Sequence, residues 1–144
     1  MSSLRLMAAA LALGLAPLAF LHPVRIAGAS MEPLLRDGEI RVALRAWCAG
    51  PPRPGQVWLA AGPSGTIVKR LVAGPGMRIE VRDGEVWVDG KYVPEPYVAA
   101  TERASGGPWA TGAGWFLMGD NRARSLDSRN WGPLPAAKLE ARLL

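Results

Sequence analysis

The chain has 144 residues, with 17 Lys and Arg against 12 Asp and Glu and a formal net charge of +5. Setting aside an apolar N-terminal run, about 120 residues remain, room for one hydrophobic core and not two. The arginines are scattered from Arg5 to Arg142 with no basic cluster and no nucleic-acid-binding motif, so the charge points to an anionic lipid surface and away from nucleic acid.

The first element is Leu6 to Leu21, an uncharged apolar run that follows Arg5 and precedes His22, Pro23 and Arg25. It falls slightly short of the roughly 17 to 25 residues of a spanning helix and has the length of a signal-peptide core. Anchor, cleaved signal and buried helix are all open on length alone. Cleavage after Ala27-Gly28-Ala29 would leave Ser30 at the new N-terminus. The favoured expectation is one retained membrane helix within residues 1–22, a single-pass anchor in the cell (inner) membrane. The remaining domain, residues 23–144, is then extracytoplasmic, an orientation that rests on Arg5 and the amino terminus.

Beyond the anchor, 17 Gly and 13 Pro imply many turns and little long helix. The expected fold is all-β, a compact domain of antiparallel sheets. Residues 40–46, 56–60 and 66–72 read as strands, with a Pro/Gly-rich loop from Cys48 to Gly55. The stretch 78–93, RIEVRDGEVWVDGKYV, alternates and is broken by Asp83-Gly84 and Asp89-Gly90. Each Asp-Gly suits a two-residue turn with positive φ, which predicts a three-stranded meander. Residues 94–114 have no sustained periodicity and read as a loop. Gly114 to Asp120 reads as another strand, and residues 136–144 fit a short helix or a strand equally.

Few residues carry obvious chemistry. Cys48 is the single cysteine and His22 the single histidine. An internal disulfide is therefore impossible, and a Ser-His-Asp triad has no usable imidazole. Ser30, in Ala-Ser-Met-Glu-Pro at 29–33, would ordinarily be a turn or capping residue. Lys69 is one of three lysines in a chain that otherwise uses arginine. Lysine can give up its proton when buried, and arginine effectively cannot. In the strand, Lys69 shares a face with Ile67 and Leu71, while Arg70 shares the other with Val68 and Val72. A buried first face would disfavour the ammonium form; an edge position would let the side chain snorkel to water. The strand alone leaves both readings open.

Three segments together resemble the type I signal peptidase family. They are Ser30-Met31-Glu32-Pro33-Leu34-Leu35, Val68-Lys69-Arg70-Leu71-Val72-Ala73-Gly74-Pro75-Gly76, and the eleven residues Gly119 to Arg129, GDNRARSLDSR. Their order and spacing, and the apolar segment before them, agree with that family. The resemblance implies Ser30 as nucleophile and a neutral Lys69 as general base, with Ser125 orienting the lysine through its hydroxyl. Asp127 and Arg129 would form a supporting pair near Asp120. Met31 would flank the nucleophile, and the Ser30 backbone N–H would supply one oxyanion donor.

Two positions depart from the family pattern. Gly28 stands where some members carry a second oxyanion donor, and Met77 stands where many carry Asp. The implied activity is removal of signal peptides from exported preproteins after small residues (Ala-x-Ala). The alternative is a related Ser/Lys maturation or conjugation peptidase with one dedicated substrate. The implied partners are the signal peptide and the lipid bilayer. No metal, cofactor or nucleic acid is implied, and no oligomeric state.

Overall fold

The computed structural model describes residues 19–98 and 103–144. Most of the expected anchor, residues 1–18, therefore lies outside the described residues. Among those described, no helix is long and apolar enough to cross a membrane. The first strand, β1, is Leu21–Arg25, so the last two residues assigned to the anchor are already sheet. Pro23 sits within it, which an edge strand tolerates because proline has no ladder N–H to give.

The expected strands follow: β2 Ile40–Arg45, β3 Val57–Gly62, β4 Gly65–Ala73, β5 Arg78–Arg82, β6 Glu85–Val88 and β7 Lys91–Val93. Asp83 and Gly84 have φ of 49° and 87°, and Asp89 and Gly90 have 49° and 77°. These paired positive values define the two tight turns of the meander.

The expected loop at 94–114 instead contains β8, Gly106–Ala110. Its Gly-Gly-Pro-Trp sequence hides the strand because nothing alternates. Trp109 accounts for the glycines: a Cβ on Gly106 or Gly107 would collide with its indole ring. The indole in turn packs on Phe116 at 5.3 Å between centroids. Strand β9 is Gly114–Met118, followed by a one-turn helix α1 at Ser128–Trp131, β10 at Leu134–Pro135 and β11 at Leu139–Leu143. The ambiguous C-terminal residues thus resolve as strand, after a single 3-10 turn at Ala136–Lys138.

The strands form two antiparallel sheets. One has seven strands in the order β1-β2-β11-β3-β4-β9-β10, and the other four, β7-β6-β5-β8. Strand β4 lies well inside the larger sheet and is covered on both faces. Leu71 packs with Trp58 and Leu117 on one side, and Val72 packs with Ile79, Phe116 and Met118 on the other. Fully burying side chains of this size stabilises by about 1.5–3 kcal/mol each. The second face is closed by the small sheet, so the meander completes the wall behind β4.

Candidate active site

Ser30 lies on the turn-rich segment between β1 and β2. That segment is closed at its base by two backbone bonds, Ile26 N–H to Glu39 O (2.8 Å) and Gly38 N–H to Ile26 O (2.9 Å). Inside it, Gly28 has φ of 83° and its N–H donates to Asp37 Oδ1 at 2.8 Å. Met31 and Leu35 are both buried in the cluster formed with Val24, Ile26 and Leu59. These two apolar anchors leave Ser30 half-buried at the loop surface.

Lys69 reaches it from β4. Trp58 stands directly opposite Lys69 on β3, and Leu71 is the next residue on the same face. The lysine is only 5% exposed. Its Nζ is 2.5 Å from Ser30 Oγ. Burial pushes the lysine pKa down; the Asp127 and Asp120 carboxylates oppose this, and Arg129 adds to it. Of the two sequence-based alternatives for Lys69, the structure has the buried one.

A cavity of about 210 Å³ opens beside the pair, lined by Val24, Ile26, Gly28, Met31, Leu59 and Val68 together with Ser30 and Lys69. Its lining is mostly apolar, with Arg25 and Thr66 at its edge. A Cβ on Gly28 would meet open space, but the positive φ there favours glycine.

The eleven-residue segment 119–129 packs against the backbone of Ser30. Gly119 is wedged so closely between the Ser30 carbonyl and the Ser125 hydroxyl that a Cβ there would overlap both. Asn121 N–H donates to the Ser30 carbonyl at 2.9 Å. The Ser125 hydroxyl donates to Asp127 Oδ2 at 2.7 Å, which leaves its oxygen able to accept a further bond. No hydrogen bond joins Ser125 to Lys69 among the described residues. The buried carboxylate, carrying full negative charge, is the stronger acceptor for that proton.

Asp127 is fully buried and also accepts from the Gly119 N–H (3.0 Å) and from Arg129 through Nε (2.9 Å) and a terminal nitrogen (3.0 Å). Burial alone would raise its pKa. The Arg129 bonds and charge and the Gly119 and Ser125 bonds outweigh that and hold it below the usual carboxylate value. The same side chain caps α1, reciprocally with Asn130.

Arg70, Glu95, Tyr97 and Arg122, to which sequence reading assigns no role, surround the site. Arg70 grips Asp120 with two bonds of 2.8 and 2.6 Å, and its guanidinium lies 3.8 Å from the Tyr97 ring centroid. Arg122 pairs with Glu95 at 2.6 Å. Only the opposite-face alternation of Arg70 could have hinted at this, since its partners are distant in sequence.

The scaffold is built of antiparallel sheets, and it sets a serine hydroxyl against a buried amine with a mostly apolar cavity alongside. The family model described as "Signal peptidase, peptidase S26" matches residues 2–144, and the chain belongs to that family. It is 33% identical over 123 residues to signal peptidase I of Bacillus licheniformis, covering 76% of this chain and 66% of that protein. It is 35% identical over 132 residues to signal peptidase I U of Bacillus subtilis, covering 83% and 71%. The chain thus spans about two thirds of the length of these relatives. A crystal structure of a signal peptidase I from Enterococcus faecalis superposes with a TM-score of 0.58 at 25% identity, covering 65% of this chain and 97% of that one.

Proposed function

We propose that this protein is a membrane-bound serine endopeptidase that cleaves signal peptides from exported preproteins after small residues. Ser30 is the nucleophile and Lys69 the general base. The observation that carries this reading is the 2.5 Å approach of Lys69 Nζ to Ser30 Oγ with the lysine buried. With Lys69 neutral, the Ser30 hydroxyl donates its proton to Nζ as Oγ attacks the scissile carbonyl. The ammonium then returns that proton to the leaving amine, which departs as the N-terminus of the mature protein. Lys69 next removes a proton from water, and the resulting attack releases the signal peptide from the acyl-Ser30 ester.

The Ser30 N–H is suited to the oxyanion. Gly28 offers no side-chain donor there, and its own N–H is engaged by Asp37. The apolar cavity beside the pair suits small side chains on the acyl side of the cut. The apolar residues that precede β1 serve as the anchor, holding the domain at the extracytoplasmic membrane surface where cleavage regions emerge. Support for the substrate class comes from the signal peptidases that the chain resembles. The test is cleavage of an Ala-x-Ala preprotein by the full chain in detergent. Product with wild type and none with Ser30→Ala or Lys69→Ala is expected; equal turnover by all three would sink the assignment.

A further inference from the structure

The segment just after the meander, Pro94-Glu95-Pro96-Tyr97, makes contacts that the chemistry above does not use. Tyr97 covers the Arg70 guanidinium at 3.8 Å and donates its hydroxyl to Glu95 Oε1 at 2.8 Å. The same Glu95 oxygen receives Arg122 at 2.6 Å, and Arg122 Nε donates to the Gly119 carbonyl at 3.0 Å. Arg70 holds Asp120 with two bonds, and it also donates to the Gly55 carbonyl at 2.6 Å. The contacts therefore close a ring: Tyr97, Arg70, Asp120, Gly119, Arg122, Glu95 and back to Tyr97.

Most of the ring is buried, with the Asp120 side chain at 0% exposure and Arg122 and Glu95 at 4% and 8%, while Tyr97 is half-buried at its edge. It grips both ends of the Gly119–Arg122 turn. The middle of that turn, Asn121 N–H, holds the Ser30 carbonyl at 2.9 Å. Arg70, on the other side of the ring, immediately follows Lys69 in β4. Two prolines fix φ on either side of Glu95, so the segment reaches the ring already stiff.

We propose that Glu95 and Tyr97 are positioning residues: they lock the ring that holds the Ser30 backbone at its bonding distance from Lys69. This rests on the peptidase reading above and adds to it a part of the chain outside all three family-like segments. Neither residue touches the reacting atoms. Opening the ring frees the 119–122 turn, loosens Ser30 and lets water reach Lys69. It also releases Asp120 from Arg70. Both changes favour the ammonium form of Lys69, whose charged surroundings are Asp127, Asp120 and Arg129.

The test compares wild type, Tyr97→Ala, Tyr97→Phe and Glu95→Gln as full chains in detergent micelles. Each is measured for kcat and KM across pH, for melting temperature, and for titration of Lys69. The last is read from the lysine side-chain carbon signals by NMR, where only Lys69, Lys91 and Lys138 contribute and Lys69→Ala assigns the first.

The expected result for Tyr97→Ala is a loss of about tenfold or more in kcat at neutral pH, with KM within about twofold, because misplacement of reacting groups falls on the chemical step. The rising, acid-side limb of its rate profile and the Lys69 titration both move to higher pH, so activity partly recovers under alkaline conditions. Glu95→Gln moves in the same direction, and Tyr97→Phe, which loses the hydroxyl bond to Glu95 but keeps its aromatic face over Arg70, moves the same way by less than Tyr97→Ala. Unchanged Lys69 titration in both Tyr97→Ala and Glu95→Gln would overturn the proposal, as would kcat losses matched by a lowered melting temperature with the limb unmoved. A wild type that cleaves nothing would count against the peptidase reading alone. The Lys69 titration in the variants would still decide the positioning role.

Discussion

Arg70 and Asp120, 50 residues apart in sequence, meet in a two-pronged ion pair of 2.8 and 2.6 Å whose carboxylate is wholly buried. The pair ties β4, which carries Lys69, to the end of β9, which leads into the turn that holds Ser30. Charge, geometry and location here serve one purpose: the strand that carries Lys69 is tied to the turn that holds the Ser30 carbonyl.

Breaking that pair on one side leaves a buried charge without a partner, which costs about 3–5 kcal/mol. Asp120→Ala is therefore expected to lower the unfolding free energy by that order in urea titration. A double change to apolar residues of similar volume, Arg70→Met with Asp120→Leu, should recover much of it. A loss below about 1 kcal/mol for Asp120→Ala would mean that Arg70 readily finds another acceptor.

Gly119 is required by close approach, since a Cβ there overlaps both the Ser30 carbonyl and Ser125. Gly119→Ala is expected to cost about 1–3 kcal/mol from overpacking and to abolish most peptidase activity. Measured side by side, the activity loss should exceed that of Gly76→Ala. Gly76 has a positive φ but open space around its Cα, so its change strains the backbone away from Ser30.

Asp127 provides the acid dependence of stability. Its pKa is depressed in the folded protein from an ordinary 3.8, so the folded state binds the proton more weakly than the unfolded chain. The stabilisation is fully present above the unfolded value and is lost as pH falls through the folded one. Melting temperature should therefore fall as pH drops below about 5, and Asp127→Asn should flatten that fall while lowering the plateau. An identical acid slope in wild type and variant would remove Asp127 from this account.

Lys69 has the opposite effect on stability, because a depressed lysine pKa means the folded state disfavours the ammonium. That penalty is complete below the folded pKa and disappears as pH rises to the unfolded value near 10.5. Lys69→Met, which keeps the stem and removes the amine, is expected to melt higher than wild type at pH 6 to 7. The gain should shrink toward pH 10. A variant that melts lower at neutral pH would show that the bond to Ser30 outweighs the desolvation of the amine.

The parts of the fold that could be read from sequence were those with local causes. Asp83-Gly84 and Asp89-Gly90 demand positive φ, and the alternation around them fixes the meander. Strands β8 and β1 were hidden by Gly-Gly-Pro and by Pro23, whose tolerance at sheet edges is set by tertiary pairing. Residues 139–143 became a strand because they slot between β2 and β3, a partnership that no local window contains. At the site, Ser30 and Lys69 were identifiable by resemblance and by the scarcity of lysine. The resemblance also named Ser125, and its bond to Asp127 could be seen only once the fold brought the two side chains together. Glu95 and Tyr97 lay in what read as a featureless loop, since only folding brings them to Arg70 and Arg122.

The central claim is that Lys69, neutral and buried, takes the proton from Ser30, and the pH dependence of kcat/KM for an Ala-x-Ala preprotein tests it most directly. Measured from about pH 6 to 9, the rate should rise with pH as a single group, a lysine held below its ordinary value, loses its proton, with Lys69→Ala inactive throughout. A rate flat across that range, or a fully active Lys69→Ala, would contradict it.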